Sequence, residues 1–387
     1  MKTCAIICEF NPLHSGHKYL LDTIKQYGYD RIVCFMSGNF VQRAEPAFAD
    51  KYERAICAIK CGAAAVFELP TPYATANAQI FAYGGIKLVS SMKIENLAFG
   101  IESENVELII DAAKLQSNET DEFKNKLKEY LSLGISYPTA LSVTTSDILS
   151  KKYPNCHEEL SKPNNILGIS YLRAIYMQNA KINPILIKRK GSAYNDENLT
   201  QSTHPSATAI RKYILDGNDK NNLTSFLPAE CINMNFLNKE NYQLYEKIVI
   251  YTLRNCTSNF ISQMADAGEG IENKLIKNAN IYTNLHEIIE QTKSKRYTYS
   301  RIKRLCLQTM LDINNHLDLS KPISRLLAIK KESMDIIKNL SQEFYVKVSD
   351  VEQNNEFIKI EKKADSLYDL ILGRNGNSFY DERLRVI

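Results

Sequence analysis

The sequence predicts an α/β fold, a Rossmann-like parallel sheet covered by helices over residues 1–227, followed by a mainly α-helical domain over 228–387 with a small mixed C-terminal cap. Two observations carry this. In the N-terminal part, short apolar runs rich in Val, Ile, Phe and Ala alternate with longer amphipathic stretches, the pattern of buried parallel strands joined by crossover helices. After Leu227-Pro228-Ala229 the alternation stops, and helical patterns dense in Asn, Lys and Tyr run to about Leu340. With 44% hydrophobic and 24% charged residues the composition is that of an ordinary folded chain, long enough for a substantial core.

Strands are expected over 3–8, 31–36, 64–69 and 97–99, with helices near 17–27, 50–61 and 76–91 between them. In such sheets ligands bind beyond the carboxyl ends of the strands, where the strand order reverses. The first strand runs into Glu9-Phe10-Asn11-Pro12-Leu13-His14-Ser15-Gly16-His17. Pro12 removes a backbone donor and disfavours a helical Asn11, so the chain turns before the helix begins. His14 and His17 then stand at the helix mouth, where unpaired N–H groups, the helix dipole and two imidazoles suit phosphate oxygens. A His-x-Gly-His directly after a buried strand points to the adenylyl-transferring branch of nucleotide-binding folds. The plain alternatives are a surface turn with two incidental histidines, or a metal pair.

Three further loops end strands. Ser37-Gly38-Asn39-Phe40-Val41-Gln42-Arg43-Ala44-Glu45-Pro46 holds Arg43 and Glu45 beside a glycine, suited to a phosphate or carboxylate or else to a surface ion pair. Glu68-Leu69-Pro70-Thr71-Pro72-Tyr73 reads as a stiff exit, and Gly100 offers bare backbone against which an adenine or ribose could lie. Val106 to Tyr153 reads as helical with a solvated surface. Pro163-Asn164-Asn165 then opens a helix over 166–178, with one asparagine more than a cap needs. A fifth strand over 183–187 ends in Lys188-Arg189-Lys190-Gly191, cations at the expected ligand edge. Finally, His204-Pro205-Ser206-Ala207-Thr208-Ala209-Ile210-Arg211 starts a helix running to about Asp216. Ser206 suits its N-cap, and Ser206, Thr208 and Arg211 would form a second phosphate cradle facing the first.

Charge is balanced, 48 Lys and Arg against 44 Asp and Glu, so its distribution matters more than its sum. Between Glu290 and Asp312 there is no acidic residue, but Lys293, Lys295, Arg296, Arg301, Lys303 and Arg304 are interleaved with Tyr297 and Tyr299. That mixture suits folded RNA, and equally a solvated helix face. The nine cysteines show no CxxC pairing and read as reduced, buried thiols. No apolar run approaches a membrane span, so no membrane partner and a cytoplasmic location are expected; the oligomeric state is open.

Two opposed phosphate cradles, without a carboxylate cluster for paired metals or a Gly-Lys-Ser/Thr loop, suggest attack at the α-phosphorus of ATP with pyrophosphate leaving. His14 and His17 would stabilise the crowded phosphorus, and Arg211 with Lys188 or Arg189 would neutralise the pyrophosphate. Mg²⁺ would be held mainly by the phosphates, with no protein metal site. The apparent lack of a general base favours an anionic nucleophile.

On Cys8 to His17, Met36-Ser37-Gly38-Asn39-Phe40, Glu68-Leu69-Pro70, Pro163 to Gly168, Ser206 to Arg211, Lys295-Arg296-Tyr297-Thr298 and Arg301-Ile302-Lys303-Arg304, the chain resembles the bacterial tRNA(Met) cytidine acetate ligases. This is a nucleotidyltransferase-like family distantly related to class I aminoacyl-tRNA synthetases. One departure is Ala44, where the resemblance leads one to expect glycine. The resemblance implies that ATP activates acetate as acetyl-adenylate and that the acetyl group passes to N4 of the wobble cytidine of elongator tRNA(Met), giving N4-acetylcytidine. It places nucleotide contacts on Ile7-Cys8-Glu9-Phe10-Asn11-Pro12-Leu13-His14-Ser15-Gly16-His17-Lys18-Tyr19-Leu20, Gly100, Asn165 or its neighbour Asn164, and Arg189. Lys188, Ser206 and Thr208 join these on residue chemistry alone. Two rival readings are a small-molecule adenylyltransferase of the cofactor type, which leaves the helical domain unexplained, and a non-catalytic nucleotide-sensing RNA-binding protein.

Overall fold

The computed structural model describes residues 1–189, 206–340, 344–352, 354–381 and 383–387. Lys190, Gly191, His204 and Pro205, named above, lie outside these. Strands β1 (Thr3–Cys8), β2 (Arg31–Ser37), β3 (Phe40–Val41), β4 (Glu45–Pro46), β5 (Ala65–Leu69), β6 (Asn96–Ile101), β7 (Asn183–Lys188), β8 (Ser324–Ile329), β9 (Phe344–Tyr345) and β10 (Arg385–Val386) follow in chain order. The main sheet has the order β10-β8-β5-β2-β1-β6-β7, with β9 beside β8, while β3 and β4 form a separate ribbon. β5, β2, β1, β6 and β7 are parallel neighbours, and only β8 against β5 runs antiparallel.

The five expected strands are all present, and they fix where a ligand can sit. From β1 the chain builds outward through β2 and β5 and then returns to add β6 and β7 on the other side of β1. The order therefore reverses between β1 and β6, and the crevice at their carboxyl ends is the switch point. The crossover helices carry apolar faces onto the sheet. Ser15–Gln26, for example, buries Leu21 and Ile24, and Ala78–Ser91 buries Phe81, Ile86, Leu88 and Val89.

The C-terminal segment departs from expectation. Phe344–Tyr345 is a strand, but the short apolar run at 357–360, which taken alone suits a strand of the expected cap, belongs to a long helix, Glu356–Ile371. Its buried positions Phe357, Ile360, Glu361, Ala364, Asp365 and Tyr368 recur at three and four residues, and this longer period outweighs the short apolar run. Ser324–Ile329, which showed no recognised strand signal, is fully buried and joins the N-terminal sheet, as does β10. The segment expected as a cap on the helical part thus completes the first sheet.

The cysteines also differ from the reading of separate reduced thiols. Cys57 and Cys231, 174 residues apart, are disulfide-bonded, and Cys61 is a third buried sulfur within 4.8 Å. Sequence spacing reports only neighbours along the chain, whereas here the fold brings the helix Lys51–Lys60 against Ala229–Ile232.

Candidate active site

β1 ends at Cys8, Phe10 adopts a left-handed φ of 49°, and the Asn11-Pro12 bond is cis. His14 follows as the N-cap of Ser15–Gln26. Its Nδ1 accepts the Gly16 amide at 3.0 Å, and Nδ1 of His17 accepts the His14 amide at 3.3 Å, a reciprocal capping box built from two histidines. A ring nitrogen that accepts a backbone N–H carries no proton, so in each neutral ring the proton sits on Nε2. The rings lie 3.9 Å apart between centroids, and Phe10 meets His17 edge-on at 5.2 Å. Burial, reinforced by Arg189, lowers the His17 pKa to about 3, which keeps that ring neutral at physiological pH.

The expected cradle changes in one respect. The helix mouth does not offer open amides at its start: Ser15 N–H donates to Phe226 O at 2.7 Å, Gly16 N–H to His14 Nδ1, and His17 N–H to His14 O at 2.9 Å. On this turn it is the imidazoles of His14 and His17, not these amides, that line the cleft. Across the cleft, Ser206 caps Ala207–Leu215 by accepting from Ala209 N–H. Ala207 and Thr208 supply first-turn amides that have no acceptor in their own helix. Arg211 links the two walls, donating to Asn11 O at 2.7 Å and to Thr208 Oγ1 at 3.2 Å.

These walls bound a cleft at the switch point. From the expected set, Ile7, Cys8, Glu9, Phe10, Asn11, His14, His17, Leu20, Gly100, Asn164, Arg189, Ser206, Thr208 and Arg211 line it. Gly100 is needed there, because a Cβ would come within 2.9 Å of Arg189 Cγ. Pro12, Leu13, Ser15, Gly16, Lys18, Tyr19, Asn165 and Lys188 are not on the lining. Lys18 pairs with Asp22, and Lys188 with Glu104. Asn165 is fully buried, its Oδ1 accepting from the amides of Glu102 and Ser103 and its Nδ2 donating to Glu159 O. It therefore shapes the loop after β6, and of the two asparagines Asn164 is the one on the cleft.

Sequence reasoning missed the support beneath this lining. Arg54, wholly buried, donates to the carbonyls of Glu9, Ser37, Gly38 and Ala49, tying together the chain ends of β1 and β2. Lys51 Nζ meets Glu68 at 2.8 and 3.0 Å and Asp365 at 2.8 Å, and Asn39 bridges Asp365 to the Lys51 amide. Burial alone would lower the Lys51 pKa, but the two carboxylates outweigh it and hold it well above the usual value. Nearby, burial and Glu68 push Glu361 up to about 8 while its carboxyl receives the Thr71 amide and hydroxyl. Glu68 inside an otherwise apolar strand was the available signal; Arg54 gave none. Val41, Gln42, Arg43, Phe81, Phe99, Leu167 and Tyr171 also line the cleft.

The basic run lies on Tyr299–Leu311 and the turn before it. Arg304 is bidentate to Asp266, both contacts at 2.9 Å, and Arg301 pairs with Glu269 at 2.8 Å and donates to Asp266 O. Lys303 reaches Glu45 of the cleft's second loop. Burial opposes ionisation of Glu45, and Lys303 overcomes it, lowering the carboxyl's pKa. Tyr297 donates to Glu269 O. Lys293, beside Glu290, and Lys295 and Arg296 are exposed.

The family model described as HIGH Nucleotidyl Transferase matches residues 1–382. A tRNA(Met) cytidine acetate ligase of Clostridium novyi (strain NT) is 36% identical over 393 residues, covering 96% of each chain. One of Clostridium perfringens (strain ATCC 13124) is 33% identical over 401 residues, covering 100% of this chain and 97% of the relative. Among solved structures, Thermotoga maritima TmcAL in its apo form superposes with a TM-score of 0.88 at 25% identity, covering all of both chains. The form bound with alpha-thio ATP matches equally, with a TM-score of 0.88.

Proposed function

The chain belongs to the HIGH nucleotidyl transferase family, and from that premise we propose that it is an ATP-dependent tRNA(Met) cytidine acetate ligase working in the cleft between β1 and β6. The observation that carries this is the pair of imidazoles whose Nδ1 atoms accept backbone donors, which puts the proton on Nε2 of each ring, on the lining of a cleft whose other wall bears Arg211 and Ser206.

In the first step an acetate oxygen attacks the α-phosphorus of ATP. The new bond is carboxylate O–P, the bond to the bridging oxygen breaks, and pyrophosphate leaves with that electron pair. His14 and His17 donate to the non-bridging oxygens as charge builds on them. Arg189, Arg211 and the amides of Ala207 and Thr208 receive the pyrophosphate. No base is required, because acetate arrives as an anion. In the second step N4 of the wobble cytidine of elongator tRNA(Met) attacks the acetyl carbonyl, AMP leaves, and the nitrogen releases a proton to solvent.

Among the described residues the one group of three potential metal ligands is Cys57, Cys61 and Cys231, which is off the cleft lining and has two of its sulfurs in a disulfide. Glu9 is the carboxylate on the lining, and burial raises its pKa while its Oε1 accepts the Gln42 amide. A divalent ion such as Mg²⁺ would therefore take its oxygens from the phosphates and supply charge neutralisation. The proposal keeps 1–227 as the ATP and acetate unit and 228–387 as the main tRNA-facing unit, with a cytoplasmic setting. No helix among the described residues is long and apolar enough to cross a membrane.

The test is pyrophosphate exchange into ATP with and without acetate, followed by hydrolysis of the treated tRNA to look for N4-acetylcytidine, in wild type and His17→Ala. Acetate-dependent exchange and acetylcytidine, both lost in the variant, are expected. Exchange indifferent to acetate would sink the reading in favour of a cofactor-type adenylyltransferase.

A further inference from the structure

We infer that a second cavity, on the far side of the helix Pro163–Met177 from the ATP cleft, receives an unstacked nucleobase of the RNA that flanks the modified cytidine. The inference rests on the tRNA reading above. The helix is shared between the two spaces: Asn164, Leu167 and Tyr171 face the cleft, while Ile166, Ile169 and Ser170 face the second cavity. One helix diameter of about 10 Å separates them.

The lining has two chemistries. One side is apolar, built from Tyr137, Pro138 and Leu141 of Tyr137–Leu149 and from Ile166 and Ile169. Tyr137 and Ile166 are 40% and 39% exposed, large apolar side chains that water reaches for want of a cover. Another side is cationic: Arg296, Arg301 and Arg304 line it together with Asp266, and Glu269 pairs with Arg301. Asp266 and Glu269 hold the guanidiniums of Arg304 and Arg301 in fixed planes.

An apolar, ring-bearing side next to a cationic one matches a base joined to its phosphate. Rings stack on tyrosine or on a guanidinium plane, and the excess positive charge takes the backbone. A base that reacts must leave its stack, which unstacks its neighbours as well. A cavity one helix away from the reacting phosphorus gives such a neighbour a place. This also gives the arginines of the basic run a role that their internal ion pairs do not exclude: Asp266 and Glu269 hold two of them in place on the cavity's lining.

The experiment uses the full-length protein and an anticodon stem-loop RNA of elongator tRNA(Met), alongside versions in which single loop nucleotides flanking the wobble cytidine are abasic. Tyr137→Ala and the space-filling Ser142→Trp are compared with wild type and with Tyr137→Phe, reading RNA binding, acetylation KM and tRNA-free, acetate-dependent pyrophosphate exchange. Both disruptive variants should weaken RNA binding about tenfold or more, the scale of one lost stacking contact, with exchange unchanged and Tyr137→Phe near wild type. One abasic position should weaken binding to wild type comparably and cost Tyr137→Ala nothing further. Unaltered binding in both variants overturns the inference, as does a loss in Tyr137→Ala that adds in full to that of every abasic position. Failure of the ligase reading looks different, since wild type itself would then lack acetate-dependent exchange.

Discussion

In the cleft, two rings are held at the lining by backbone donors; in the stretch 293–304 three cations turn inward onto carboxylates. His14 and His17 are aimed by the turn itself, because the N-cap geometry and two backbone donors decide which nitrogen faces out. Arg301, Lys303 and Arg304 lie along a helix, where nothing local sets their direction, and Glu269, Glu45 and Asp266 set it instead. A motif pinned to the end of a strand and the start of a helix carries its orientation in the sequence. A run of like charge carries only its composition, and tertiary partners decide whether it faces solvent.

If paired cations are structural and open ones functional, the sharpest loss of stability should come from the cation with the most complete pairing. Lys51 is buried between Glu68 and Asp365. Lys51→Met leaves two carboxylates without their counter-charge, and a cost of about 3–5 kcal/mol is expected in urea unfolding. A shift no larger than that of a surface lysine would break the comparison at its strongest point.

His17→Ala should show the opposite pattern. Removing one pre-aimed donor from a charge-stabilising site costs roughly 10²–10³ in rate, so acetate-dependent exchange should fall by that order, while stability falls only by about 0.5–2 kcal/mol for the lost cap on the His14 amide. The pH behaviour follows from the same burial. His17 has a folded pKa of about 3 against an ordinary 6.5. Between these values the unfolded chain binds a proton that the folded chain does not, so this group's contribution to stability is intact above 6.5 and lost as pH falls toward 3. Imidazole NMR shifts of His17 should therefore stay constant from pH 8 to 5; an inflection near 6.5 would show an open, solvated ring.

Within the basic run the comparison divides neighbours. Arg304→Ala breaks a bidentate pair with partly buried Asp266, and a loss of about 1.5–3 kcal/mol in stability is expected with exchange unchanged. Lys295→Ala, at an exposed position, should move stability by less than about 0.5 kcal/mol. If Lys295 touches a tRNA phosphate, the slope of log affinity against log salt should drop by about 1. Equal effects of the two on stability would erase the distinction between inward and outward cations.

The parallel strands were legible because each is a short apolar run closed by turn residues, and the cleft was legible because its main residues sit at those closures. What was not legible depends on distant pairing. Ser324–Ile329 completes the sheet from the far end of the chain, and Arg54 gathers four carbonyls from segments that the linear sequence keeps apart. Asn164 and Asn165 could not be separated by type. Only the register of their helix against the loop after β6 makes one a lining residue and the other a support.

Ala44 gives the smallest and most discriminating test of local against tertiary control. It stands where the resemblance led to glycine, and its φ is 53°, in the left-handed region. Holding alanine there costs about 1–2 kcal/mol, which Ala44→Gly would recover. The same change removes a buried methyl, worth about 0.8 kcal/mol, and loosens the unfolded chain by about 0.4–1 kcal/mol. Ala44 packs in the cluster that contains Phe40, Phe48 and Tyr245, so the methyl is not idle. The terms nearly cancel, and Ala44→Gly should shift stability by less than about 1 kcal/mol. Ala44→Val should lose more than either, because a β-branched residue tolerates positive φ poorly and must also find room in a filled core. A large gain from glycine would mean that backbone strain dominates this loop, and a large loss would mean that packing does. Near-neutrality with a costly valine is the outcome expected if the fold has balanced the two, leaving Arg43 and Glu45 placed as a glycine-bearing loop would place them.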